Sequence, residues 1–479
     1  MNTDSSEASS ERRERKRLSN EFQPARASVV ALALVIFVGT VILMLPMSRS
    51  GAPLWENGEA ITAGPSLPGG APLSVAVFTA TSATCVTGLI VADTATYWST
   101  FGQIVLAVLM EIGGLGTMTF GALMALVVAK RLNLRQRIAI ASATGSVTLR
   151  DVRGVARRIV RYGFAFQGLL AIPIFIDLIR SGEPFHRALG HSVFLSVSAF
   201  NNAGFSIYTD SLMSKATSPL VIIPISLLII IGGLGFPVLL EIRRSITKRT
   251  TSALIHWSLN TRLVLFATAF LILFGWICIG FLEWNNEHTL GGMNGAEKLL
   301  VTFFTAVSPR TAGFNTMDIS QQSDVTWFVT EFFMFIGAGP AGTAGGVKVT
   351  TALVLFFMVL TEIRAGRSVH LFGARVGRSV HRQATTVLVL AFSLLIVATI
   401  LILGLTPYTL DRVLFEVVSA MGTVGLSTGI TQTLPISAQL ILCILMFFGR
   451  VGPVTIAAAL AVKPDTRLWE LPKERPLIG

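Results

Sequence analysis

The stretch 337-GAGPAGTAGGVKVTT-351 interrupts an apolar run: it follows 332-FFMFI-336 and precedes 352-ALVLFFMVL-360. Its glycines, its proline and Lys348 break a helix at a depth where lipid offers the freed backbone no hydrogen bonds. Such backbone is tolerated only where protein covers it or where it lines a watery cavity. The stretch therefore points to a membrane protein built around an internal path.

Composition agrees. Of 479 residues, 52% are hydrophobic and only 13% charged, with a mean hydropathy of +0.68, far outside the soluble average. Uncharged stretches of spanning length run from Ala27 to Leu45, Ala216 to Leu240, Leu263 to Leu282 and Gln383 to Leu410, each near the roughly 20 residues a crossing helix needs. Other candidate spans are interrupted or short: Phe101 to Ala129 contains Glu111, and Tyr162 to Ile176 is brief. The net charge of +12 is unevenly placed. Nine basic residues fall between Lys130 and Arg161, further clusters lie at Arg243 to Arg262 and Arg364 to Arg382, and 12-RRERKR-17 precedes the first span. By the positive-inside rule these are cytosolic, and the weakly charged connection from Pro46 to Pro72 is external. That placement accounts for the basic residues without a nucleic-acid partner. The long charged leader before a first apolar run of spanning length favours a retained anchor over a cleaved signal. Cys85, Cys278 and Cys443 are widely spaced and form neither a metal pattern nor a disulfide framework.

Internal repetition organises the chain. The stretches 78-FTATSATCVTGL-89, 194-FLSVSAFNNAGF-205, 303-FFTAVSPRTAGF-314 and 415-FEVVSAMGTVGL-426 each carry Phe ten residues before a glycine: Gly88, Gly204, Gly313 and Gly425. A serine lies six residues before that glycine in three copies (Ser82, Ser198, Ser419) and five before it in the third (Ser308). A glycine-rich break follows each: 112-IGGLG-116, 231-IGGLG-235, 336-IGAGP-340 and 448-FGRVG-452. Such glycines also serve close helix packing. The order span, short pore helix, glycine, span divides the chain into repeats at 27–130, 158–244, 262–365 (with a gate loop at 337–351) and 383–463, flanked by cytosolic tails at 1–26 and 464–479. The expected fold is an all-α membrane protein with eight transmembrane helices in a pseudo-four-fold array around one pore. Glycine permits positive φ, so inward-turned carbonyls at four such positions can replace the hydration shell of a cation. The pore helices aim their partially negative C-terminal ends at the same axis.

With these motifs the chain resembles the Trk/Ktr/HKT superfamily of potassium translocators, and it looks most like the membrane subunit of Ktr-type systems. The resemblance implies a selectivity filter at Val86, Thr87 and Gly88, at Asn202, Ala203 and Gly204, at Thr311, Ala312 and Gly313, and at Thr423, Val424 and Gly425. Cys85 and Arg310 make the four-fold symmetry approximate. Plant members with serine at the first filter position favour sodium; glycine at all four positions here implies potassium. The resemblance further implies an intramembrane gate involving Gly337, Gly339, Pro340, Gly342, Thr343, Gly345, Gly346, Lys348 and Arg450. It also implies a homodimer in the plasma membrane, resting on a cytosolic ring of nucleotide-binding regulatory subunits. The chain itself has no dinucleotide-binding fingerprint and calls for no cofactor; potassium is the substrate, with sodium a candidate activator or coupling ion.

Some residues carry two readings. Asp93, Asp210 and Asp318 follow their filter glycines by five, six and five residues; they either concentrate cations at an external mouth or cap the turns that follow. Glu111 is a functional candidate as an intramembrane acid, or it pairs with a basic residue or a pore helix for structure alone. An enzyme is disfavoured: HExxH and a complete phosphate loop are both missing from the sequence. A broken-helix carrier for another solute is the stronger rival, and a sodium-permeable member of the same superfamily is another. The orientation is checked by placing a single cysteine at Gly145 in a cysteine-free version. An impermeant thiol reagent added to intact cells should leave it unlabelled; efficient labelling would reject a cytosolic 130–161 segment.

Overall fold

The computed structural model describes residues 29–52, 68–130, 152–247, 257–366 and 368–452. Both expected tails, and four of the nine basic residues between Lys130 and Arg161, lie outside them. The described chain is mostly helical: α1 (Val29–Leu43), α2 (Leu73–Cys85), α3 (Thr100–Lys130), α4 (Val152–Arg180), α5 (Phe185–Asn201), α6 (Pro219–Leu234), α7 (Phe236–Thr247), α8 (Leu259–Glu283), α9 (Gly295–Val307), α10 (Asp324–Phe335), α11 (Val349–Ile363), α12 (Arg378–Leu405), α13 (Leu410–Gly422) and α14 (Ile436–Val451). One departure from an all-α chain is a small hairpin, β1 (His370–Leu371) with β2 (Ala374–Arg375). Both turn residues, Phe372 and Gly373, have positive φ, as a tight primed turn requires.

Within the described residues, four helices are long and apolar enough to cross a membrane, and the pair α6 and α7, bent by 103°, makes a fifth when counted as one span. Their outward faces present Phe270, Phe274, Ile277 and Phe281 on α8, and Val389, Phe392 and Ile400 on α12. Apolar surface of that extent is stable against lipid and not against water. The brief stretch at Tyr162 to Ile176 belongs to a helix of 29 residues whose N-terminal turns carry four of its five arginines, the fifth being Arg180 in its last turn. The core lies on the opposite faces, where Phe78, Phe200, Phe304 and Phe415 of the short helices α2, α5, α9 and α13 are buried.

The glycine-rich breaks are not equivalent. α3 runs through 112-IGGLG-116 without interruption, whereas the second repeat turns sharply at Gly235 (φ 88°) and the third opens into a loop from Ile336 to Lys348. The first of these glycines nevertheless does one job in three repeats. A Cβ at Gly113, Gly232 or Gly449 would collide with the carbonyl of Thr84, Phe200 or Met421, each four residues before a filter glycine. The small residue lets the second span seat on the last turn of its own pore helix. In the third repeat Gly337 packs on its own loop at Gly345 and Val347 instead.

This packing predicts a contrast. Gly232→Ala puts a methyl against the Phe200 carbonyl and 2.9 Å from the Thr343 hydroxyl, and overpacking of this kind costs about 1–3 kcal/mol. Gly280→Ala in α8 meets open space. Thermal melting of the detergent-purified protein should drop for the first variant and hold for the second; equal melting of the two would refute the close-packing role.

Candidate functional site

Three of the four short helices end on a shared local device. In α2 the αL residue Val86 donates to Ala83 O and the next amide, Thr87, donates to Ser82 O. This is a Schellman cap, and it halts the helix by satisfying its last carbonyls. The same pair of bonds recurs as Asn202 to Ala199 with Ala203 to Ser198, and as Thr423 to Ala420 with Val424 to Ser419. The serine six residues before the glycine thus lies three residues before the last residue of the helix. In two repeats its hydroxyl also accepts from the filter glycine: Gly88 N to Ser82 Oγ and Gly425 N to Ser419 Oγ, both 3.1 Å. The third repeat breaks the register because its end is built differently. Ala312 donates to Ser308 O, and Ser308 Oγ reaches forward to the Phe314 carbonyl.

After each cap, φ is positive at Val86, Asn202, Thr311 and Thr423 and again two residues on, at Gly88 (94°), Gly204 (71°), Gly313 (77°) and Gly425 (96°). The intervening residue does not share that sign. Alternation of this kind turns successive peptide groups to one side of the chain. The four segments meet in a closed cycle. A Cβ on Gly88 would lie 2.5 Å from Ala203 O and 3.0 Å from the Gly204 Cα, and one on Gly204 would lie 2.8 Å from Ala312 O. A Cβ on Gly313 would strike Val424 O, and one on Gly425 would strike Thr87 O. Each glycine therefore abuts the carbonyl that precedes the next glycine. All four glycines line the floor of one cavity of about 230 Å³. Asn202 adds a side-chain link, its amide standing 3.3 Å from the Thr311 hydroxyl.

The cavity wall includes Asp93, Asp210 and Asp318. Both readings of these acids have support, since each also organises a turn. Asp318 accepts from Ser320 N at 2.9 Å and Asp210 from Ser214 N at 2.7 Å. Asp93 binds Thr96 Oγ1 at 2.7 Å and, across repeats, Thr209 Oγ1 at 2.9 Å. Tyr208, also on the wall, donates to Glu183 at 3.0 Å. Burial first, and then the Glu183 charge, raises its phenol well above the ordinary range, so it stays neutral.

Beneath the ring lies the 336–348 loop, and its backbone is satisfied by other segments. Gly339 N donates to Gly233 O (2.9 Å), Thr343 N to Gly232 O (3.1 Å), Gly346 N to Gly449 O (3.2 Å) and Gly337 N to Val347 O (2.8 Å). Thr343 Oγ1 bonds Phe200 O at the end of α5. Gly345 packs on the Thr423 side chain, and Pro340 O and Gly342 N crowd Gly235. Arg450 is buried and donates to the Thr343 carbonyl, to Gly113 O (2.6 Å) and to Thr117 Oγ1 (2.9 Å). No carboxylate is among these acceptors. Lys348 turns back onto its own loop, with Nζ 2.6 Å from Ala344 O and 3.2 Å from Gly345 O. The expected gate residues are therefore brought together, and by Arg450 they are tied to the first repeat.

Glu111 takes the structural reading offered by sequence. It accepts from Gln167 at 3.0 Å and from Asn201, the last residue of α5, at 2.5 Å. Sequence reasoning missed Asn201, the serine caps as caps, and Glu416 in α13, which is 1% exposed and accepts from Ser427 and Thr428. The recurring Ser was the available signal for the caps; nothing local marked Asn201.

A family model described as TrkH, cation transport protein, matches residues 57–471. The Ktr system potassium uptake protein B of Bacillus subtilis is 34% identical over 446 residues, covering 92% of this chain and 93% of that protein. The potassium/sodium uptake protein NtpJ of Enterococcus hirae is 33% identical, covering 97% and 99%. In fold, the crystal structure of the potassium transporter TrkH from Vibrio parahaemolyticus superposes with a TM-score of 0.69 at 16% identity, over 91% of this chain and 84% of that one.

The ring geometry yields a prediction. Gly88→Ser places a side chain against Ala203 O and the Gly204 Cα at a backbone angle that favours glycine, so one quadrant of the ring must shift. Relative uptake of potassium over sodium should fall; an unchanged ratio at equal membrane expression would count against Gly88 as a filter residue.

Proposed function

This chain belongs to the TrkH family of cation transport proteins, and on that premise we propose that it is the potassium-translocating membrane subunit of a Ktr-type uptake system. The observation that carries the reading is the closed cycle of four glycines, each against the carbonyl preceding the next, on the floor of one cavity. Carbonyl oxygens so placed substitute for the water a potassium ion gives up. Filter segments 86–88, 202–204, 311–313 and 423–425 coordinate the ion through backbone, which is why Val, Ala, Thr and Asn are all tolerated beside the glycines. The array is four span, pore-helix, span repeats around this axis, with eight crossings in all. Relatives are ion transporters and no enzymatic chemistry is assigned.

The loop at 337–351 is the gate, supported by its position under Thr423 and the α5 end and by its dependence on bonds to Gly232, Gly233 and Gly449. Arg450 latches it. A guanidinium bonded only to carbonyls and a hydroxyl there keeps its positive charge beside the path, which opposes cation passage. Regulation acts through a cytosolic nucleotide-binding ring contacting a homodimer in the cell membrane, both termini inside. A second reading, sodium permeation in the same path, is favoured by the 33% identity to a protein named for both ions.

Rubidium uptake into liposomes holding the purified protein and the regulatory subunit tests the function: saturable uptake, competed by potassium better than by sodium, is expected, and equal competition supports the sodium-permeable reading. Arg450→Ala, or shortening Gly339 to Gly345, should raise flux severalfold and weaken dependence on the regulatory subunit. Reduced flux at equal insertion, with regulation intact, sinks the gate.

A further inference from the structure

Beyond the glycine ring, the fourth repeat differs from the others on its external side. The first three carry an acid five or six residues past the filter glycine, whereas the fourth has Ile430 and Thr431 at those positions. It carries an acid elsewhere. Glu416 lies nine residues before Gly425, where the other pore helices have Thr79, Leu195 and Phe304. Its side chain is buried, and everything bonded to it comes from the outgoing limb after the filter. Ser427 Oγ donates at 2.7 Å, Thr428 N at 2.9 Å, Thr428 Oγ1 at 3.2 Å, and Thr431 Oγ1 donates to the second oxygen. Three of these donors converge on one carboxylate oxygen and the fourth reaches the other, as suits an acceptor-only group. Ser427, Thr428 and Gly429 of that limb line the same cavity as the glycines and the three aspartates.

We infer that Glu416 is a positioning residue for the cation path: from beneath, it holds limb 427–431 in register over Gly425 and supplies the carboxylate that the other three repeats carry on their own external loops. The inference rests on the reading of the glycine ring as a cation filter. Physically, a buried acid with four donors and no cationic partner among the described residues confers order on the segment it binds. The Gly425 amide is already held by Ser419, so Glu416 and Ser419 fix the two sides of one quadrant. The limb cannot drift outward without leaving a buried carboxylate short of donors, which is costly.

The test measures rubidium uptake kinetics and potassium-over-sodium competition in liposomes, normalised to correctly inserted protein. Glu416→Gln removes the charge and substitutes a donor for an acceptor; the apparent KM for rubidium should rise about tenfold, the effect expected of a lost charge-assisted bond, and the potassium preference should fall, with maximal rate changed less. Glu416→Asp keeps the charge and should recover part of both. Thr431→Val should shift the same quantities in the same direction and add little in combination with Glu416→Gln. A merely structural role would reduce the amount of inserted protein while leaving KM and preference per molecule untouched, and that result overturns the inference, as does full additivity. If Glu416→Gln does not insert, Thr431→Val alone decides, an unchanged KM and preference counting against the proposal. A wild-type chain that moves neither ion overturns the filter reading and this one with it; a working wild type with unaltered variants overturns this one alone.

Discussion

Peptide groups that leave a helix inside a membrane must find partners in the protein, because hydrocarbon offers none. The third-repeat loop answers much of that demand from neighbouring repeats. The third-repeat loop takes Gly232 and Gly233 from the second repeat and Gly449 from the fourth, and Arg450 carries the obligation across to Gly113 in the first. The second-span glycines are small for the same reason: three of them sit on pore-helix carbonyls at contact distance. The cavity, the ring and the loop beneath it are therefore one interlocked backbone structure, with side chains mainly as braces.

Much of this was legible in the sequence because it recurs. Phenylalanine, serine and glycine at constant spacing in four copies marked the ring positions, and the structure places all four glycines on one cavity floor. The off-by-one serine of the third copy was visible as well, and its cause is a helix end that closes by a different bond. What sequence left unread depended on distant partners. Glycines at 112–116 signal a break as strongly as those at 231–235, yet α3 continues through them while the second repeat turns by 103°. The choice lies with what the glycine faces, and that is set by packing. Glu111 likewise left pairing with a pore helix or a cation open until Asn201 and Gln167 were seen to converge on it.

Approximate symmetry lets unequal repeats share one axis. Similar positive-φ conformations at four points generate the ring, while the surroundings differ: Asn202 reaches Thr311, Arg310 is buried against Thr268, and Glu416 accepts from Ser427. Four fused copies, unlike a tetramer of identical chains, can place a single loop and a single arginine under a ring that needs only one of each.

The bond from Arg450 to Gly113 spans 337 positions of sequence, and this separation has a consequence for biosynthesis. A ribosome adding roughly 5–20 residues per second reaches the arginine about 17–70 s after the glycine it will hold. During that interval the first three repeats are in the bilayer without their final fastener. A chain truncated before that helix keeps all four ring glycines but lacks the arginine that ties the 336–348 loop to the first repeat.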